Sequence, residues 1–116
     1  MERVTGIGGL FFRSADSKAL TDWYATHLGV VGDPAWMQDA GPTVFAPFRQ
    51  DTDYFGRAAQ QWMINFRVKD MDAMLAQLAT AGIVAETRTE LDSTEVGRFA
   101  RIHDPEGNLI ELWQPA

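Results

Sequence analysis

Apolar residues recur along this chain in two periods, and the periods predict its elements. Ala19, Leu20, Trp23, Tyr24 and Leu28 fall at helical spacing, and so do Met71, Met74, Leu75 and Leu78. Asp16 and Asp70 stand where N-caps belong, and Gly29 and Gly82 stand where the helices must stop. Between the helices the pattern changes to alternation. Met63, Asn65 and Arg67 alternate with Ile64, Phe66 and Val68, which predicts a strand over Trp62 to Val68. Further strands are expected at Val84 to Glu90 and Val96 to His103, followed by a closing hairpin. Thr5 to Arg13 carries Ile7, Leu10, Phe11 and Phe12 and is expected to form a strand, although Gly6, Gly8 and Gly9 are poor strand formers. Short strands are expected at Val30-Val31, Trp36-Met37-Gln38 and Thr43-Val44-Phe45.

The two halves repeat one order: strand, Asp-capped helix, Gly stop, three strands. Thr5-to-Asp16 matches Ala59-to-Asp70 in spacing. The duplication predicts an α+β domain spanning residues 1–116, with module 1 over about 4–50 and module 2 over about 60–115. Two β-α-β-β-β modules paired this way give a curved mixed open sheet with a concave cleft. Leu10, Phe12, Ile64, Phe66 and Val68 share the parity expected to pack under the helices. Gly9, Phe11, Arg13, Met63, Asn65 and Arg67 share the other, which is expected to line the cleft, where polar groups need water or a ligand. The polar stretch from Arg49 to Gln61, with Tyr54-Phe55 embedded in it, reads as a linker or as a loop folded over a site.

The closing stretch runs from Arg101 to Trp113, with Asp104-Pro105-Glu106-Gly107-Asn108 as its turn. A five-residue turn sets His103 opposite Leu109 and Arg101 opposite Glu111, so Arg101, His103 and Glu111 share one face. Glu111 interrupts an apolar strand, and its carboxylate has three readings: a metal-ligand position out of use, an acceptor for a substrate, or an ion-pair partner of Arg101. The ion pair requires least and ranks first. His103 offers an imidazole for metal or acid–base work beside Glu111, against a plainer place at a turn, exposed or bonded to Asp104. His27, in the last helical turn, suits the helix dipole.

The Asp-Pro-Glu-Gly-Asn-x-Ile-Glu-Leu hairpin, the opening strand, Asp16 and the helix ending in Trp23-Tyr24-x-x-x-Leu28-Gly29 resemble the vicinal-oxygen-chelate superfamily of glyoxalase, bleomycin-resistance and extradiol-dioxygenase proteins. The resemblance spans about Val4 to Pro115 and implies the duplicated fold. In metal-using members it implies ligands at positions that correspond here to Gly9, Met63 and Glu111. Only Glu111 matches, because glycine has no donor and a thioether is a soft ligand. No metal or other cofactor is therefore expected. The alternative is a metal-dependent, glyoxalase-like lyase or isomerase of the lactoylglutathione-lyase type, in which Glu111, His103 and donors from a partner subunit hold a divalent metal.

Composition narrows the partners. At 116 residues the chain is one domain by size. A formal net charge of −6 with both signs scattered gives no basic footprint for nucleic acid or for an anionic membrane. Absence of cysteine excludes disulfides and thiolate chemistry. No signal-like or membrane-length apolar run is present, so a cytoplasmic protein is expected. The chain is rich in aromatic residues near the cleft and linker, and several arginines accompany them. These features suit a small-molecule site, with Phe11, Arg13, Met63, Asn65, Arg67, Arg101 and Trp113 around the ligand and Glu111 and His103 as the chemical pair, and the resemblance implies a binding protein of the sequestering or resistance type, or an enzyme that works without the family's metal. Pairing as a homodimer is expected from the resemblance and from exposed sheet edges.

Overall fold

Asp16 and Asp70 each begin a helix. In the computed structural model, which describes residues 1–116, Asp16 accepts from the Ala19 N–H at 3.1 Å at the start of α1 (Ser17–Leu28). Asp70 accepts from the Ala73 N–H at 3.0 Å at the start of α2 (Met71–Thr80). Each cap satisfies one otherwise orphaned helix donor, a contribution of about 1 kcal/mol. Gly29 ends α1 at φ 69°, in the left-handed region that glycine enters without steric cost.

The second half supplies a mixed, open sheet of four strands: β1 (Ile64–Arg67), β2 (Glu86–Thr87), β3 (Gly97–His103) and β4 (Leu109–Pro115). Their spatial order is β1-β4-β3-β2, with β1 parallel to β4 and the other neighbours antiparallel. The architecture is α+β. Register separates the two faces. Ile64 pairs with Ile110, Phe66 with Leu112, Ala100 with Leu112 and Ile102 with Ile110, so these side chains share a face. They join Val68, Met71 and Leu78 in the core, and Trp23, Tyr24 and Leu28 of α1 pack on it beside Met74 and Leu75 of α2. Both helices therefore cover one face. Burying each large side chain there stabilises the fold by roughly 1.5–3 kcal/mol.

The hairpin register is the expected one, with His103 opposite Leu109 and Arg101 opposite Glu111. Its turn also fastens α1. Asp104 is 4% exposed and accepts from the N–H groups of Glu106 (2.9 Å) and Asn108 (3.0 Å), the Asn108 amide (2.7 Å) and the Tyr24 hydroxyl (2.7 Å). Glu106 reaches back to Ser14 Oγ and the Ala15 N–H, both at 2.7 Å, and the Asp16 N–H at 3.1 Å. The Glu106 bonds, with the Asp16 cap, set carboxylates at the N-terminus of α1, where the helix dipole favours them.

Five expected strands differ in the structure. Residues 5–13 and 30–48 run without a backbone ladder in this chain, and their apolar side chains stand open, Phe11 at 91% and Phe45 at 86%. Alternation selects a face but supplies no hydrogen-bonding partner, and a strand exists only where a partner is found. The strand expected over Val84 to Glu90 is confined to Glu86–Thr87 and gives way to a 3₁₀ turn at Thr89–Leu91. There the Asp92 carboxylate takes the Phe99 N–H at 2.9 Å and replaces the ladder partner.

Candidate functional site

Glu111 sits on the sheet face away from the helices, with Leu109 and Trp113 as its neighbours on that face. It is 6% exposed. What covers it is the segment between the two halves, whose turns are closed by Thr52 N–H to Arg49 O, Gly56 N–H to Asp53 O and Gln60 N–H to Arg57 O. Gln60 fixes this segment to the sheet by pairing its side-chain amide with both backbone groups of Leu109, at 2.8 and 2.9 Å. Tyr54 is thereby held over the strand. The stretch from Arg49 to Gln61 is thus folded over the sheet at Glu111.

Two donors fill the Glu111 carboxylate. The Asn65 amide donates to Oε1 at 2.8 Å, placed by the β1–β4 register that sets Asn65 beside Glu111. The Tyr54 hydroxyl donates to Oε2. Burial first, and then the bond to Glu111, hold the Tyr54 phenol above its ordinary 10.0.

Arg101 does not pair with Glu111, which corrects the expectation ranked first. Its guanidinium lies 4.2 Å from the centre of the Tyr54 ring, and its Nη2 donates to the Tyr54 carbonyl at 2.8 Å. Its Nε is buried without a partner. Arg88 lies 5.7 Å from the same ring and Phe48 5.5 Å, while Phe55 packs on Phe48 at 5.1 Å. The phenol ring thus stands against two cations and one aromatic ring, an arrangement favoured by the ring quadrupole.

The structure gathers Asn65, Arg101 and Glu111 around Tyr54 and leaves the other expected residues apart. Arg67 donates to the carbonyls of Asp39 (2.7 Å) and Pro42 and secures that loop. Trp113 is buried, stacked on Phe99 at 6.3 Å, with its indole N–H on Val96 O at 2.8 Å. Phe11 and Arg13 are exposed, and Met63 is half-buried. Phe11, Arg13, Met63 and Arg67 border, with Tyr54, Asn65 and Glu111, the broad open space between the sheet and the extended segments. His103 is exposed at the strand end, and Asp104 beside it is engaged elsewhere. Tyr54 and Gln60 were outside the expected set. The signal for Tyr54 was an aromatic pair embedded in a polar stretch.

The family's metal does not fit this donor set. No three His, Asp or Glu side chains converge anywhere in the chain. The two remaining ligand positions hold Gly9 and Met63, and both oxygens of Glu111 already accept hydrogen bonds.

Comparison with known proteins agrees with the fold. CFP32 of Mycobacterium bovis, which carries a provisional glyoxylase name, is 40% identical over 57 residues, and CFP32 of Mycobacterium tuberculosis matches equally. These matches take in 47% of this chain and 21% of those proteins, so the chain spans only about a fifth of their length. The crystal structure of TnmS3, an antibiotic binding protein from Streptomyces sp. CB03234, covers all of both chains with a TM-score of 0.65 at 23% identity, a likeness of fold. A glyoxalase/bleomycin resistance protein from the same organism overlaps 47% of this chain and 46% of its own, at 32% identity and a TM-score of 0.39. The model of the glyoxalase-like domain matches residues 9–113, nearly the whole sequence, and the chain belongs to that family.

Proposed function

We propose that this chain binds a small organic molecule in the space over Glu111, without the metal triad of its family's enzymes. The observation that carries the reading is the Glu111 carboxylate, whose oxygens are filled by Tyr54 and Asn65 while the other two ligand positions offer no suitable donor. Arginines and aromatic rings around the same carboxylate supply both apolar and polar contacts for a bound molecule. TnmS3, similar in fold, is an antibiotic binding protein, and the same use of the fold is proposed here.

The reading includes a homodimer. The chain exposes 8856 Å², against about 6,300 Å² expected for a folded monomer of 12.9 kDa. The excess, roughly 2,500 Å², is larger than the about 800 Å² that each partner buries in a standard interface. Much of it is apolar, on the extended residues 5–13 and 30–48.

The test is metal content and ligand uptake on the same preparation. After exposure to nickel, cobalt, iron and zinc and extensive dialysis, elemental mass spectrometry should find no stoichiometric metal, and a screen of aromatic small molecules by tryptophan fluorescence should find a saturable ligand. Near-stoichiometric metal that disappears in Glu111→Gln would overturn the reading in favour of the lyase or isomerase alternative with Glu111 and His103.

A further inference from the structure

Tyr54 occupies the Glu111 site in the manner of a bound phenol. Its hydroxyl is on the carboxylate, its ring is against the Arg101 guanidinium at 4.2 Å, and Phe48 stands 5.5 Å from it. We propose that Glu111, Asn65 and Arg101 form a subsite for a phenolic ring, which Tyr54 fills in this structure and which a ligand phenol enters by displacing it. The inference rests on reading the cleft as a small-molecule site and names the group that site takes.

Three observations favour a replaceable occupant over a permanent pillar. Tyr54 is carried by a segment with no strand or helix of its own, held to the sheet through Gln60, the Arg101 bond to the Tyr54 carbonyl at 2.8 Å and a long bond from Arg57 to Asn108 at 3.4 Å, none of them a backbone ladder. The polar groups exceed what Tyr54 can satisfy, since Arg101 Nε is buried without a partner although its neighbouring Nη2 is bonded. Buried polar atoms are ordinarily paired, and a ligand acceptor beside the ring would pair this one. Finally, Arg101 and Glu111 are directly opposed in register yet form no ion pair. The phenol meets both, donating a hydrogen bond to the carboxylate and presenting its ring to the cation.

The charges set the ligand class. Glu111 accepts, so the entering group must donate, and a carboxylate or phosphate in its place would meet a like charge. The guanidinium favours an electron-rich ring. A neutral phenol satisfies both demands, and an alkylbenzene satisfies one.

Removing the occupant exposes the subsite to a direct probe. In Tyr54→Ala, 4-methylphenol, which is the missing side chain as a free molecule, should bind saturably by calorimetry. Its affinity should exceed that of toluene, and that of 4-methylphenol for the wild type, by about tenfold or more, the worth of one hydrogen bond to a charged group. Adding Glu111→Gln should shrink the gap between 4-methylphenol and toluene. Equal affinities, or no binding of 4-methylphenol, would overturn the subsite, while a wild-type chain that still takes an organic ligand in the fluorescence screen would keep the broader reading. If Tyr54→Ala does not fold alone, it is refolded with each probe. Recovery with 4-methylphenol and not with toluene supports the proposal, and recovery with both or neither overturns it.

Discussion

Arg101 faces Glu111 across the β3–β4 ladder, and the two opposite charges are joined through Tyr54 and not to each other. Direct opposition would ordinarily favour a pair. Here the loop residue takes both partners, so the buried carboxylate depends on neutral donors.

That dependence is measurable. Tyr54→Phe removes one donor from a carboxylate that is 6% exposed and should destabilise the fold by about 1–3 kcal/mol in urea unfolding. Glu111→Gln should cost a similar amount, because its amide cannot accept from both Tyr54 and Asn65. The double variant should lose less than the two costs combined, since both substitutions remove the same bond. Strict additivity would show that the Tyr54–Glu111 bond contributes nothing to stability.

Gln60 acts as a strand partner in side-chain form. Gln60→Ala removes the acceptor of the buried Leu109 N–H and one donor to its carbonyl and should cost about 1–3 kcal/mol. Hydrogen exchange at the Leu109 amide should quicken more than at Leu112, in the centre of the same strand. Unchanged protection at Leu109 would mean that the segment is held by other contacts.

Acid should loosen α1 from the hairpin. The Ala15 N–H first, then the Ser14 hydroxyl and the Asp16 N–H, hold the Glu106 carboxyl below its ordinary 4.5. A depressed folded-state value means that its stabilisation is present above about pH 4.5 and is lost as pH falls through the lower folded value. The stability difference between wild type and Glu106→Gln should therefore be largest near neutrality and shrink in acid. A difference independent of pH would place the effect in shape and not in charge.

Alkali should leave both tyrosines protonated beyond the usual range. Burial first and the Asp104 bond second raise Tyr24, and burial first and the Glu111 bond second raise Tyr54, each from 10.0. Raised values give stabilisation that is full below pH 10.0 and lost above it, as pH rises toward the folded values. Since the chain has two tyrosines, tyrosinate absorbance at pH 10.0 should stay below the half-ionised level expected of free tyrosine and rise mainly above that pH. Half-ionisation of one tyrosine at pH 10.0 in the folded chain would show that it is not held as described.

Mass in solution tests the uncovered surface. Light scattering coupled to gel filtration should report twice the 12.9 kDa chain mass. Phe11→Asp together with Phe45→Asp, at side chains 91% and 86% exposed, should shift the species toward monomer. A wild-type monomer at micromolar concentration would remove the homodimer from the proposed function.

The sequence by itself determined whatever rests on neighbours in the chain. Asp16 and Asp70 cap their helices because a cap reaches only two or three residues, and the Asp104-to-Asn108 turn fixed the register that sets Arg101 opposite Glu111. The family resemblance, carried by that hairpin and the first helix, agrees with the match over residues 9–113. Tertiary structure decided what needs a partner distant in sequence. It set Tyr54, 57 positions before Glu111, on the carboxylate and turned Arg101 to the ring, and it gave residues 5–13 no ladder despite their strand-like composition. A hydrogen bond or a strand pair is a property of two segments, and the pattern along one segment specifies only its own half.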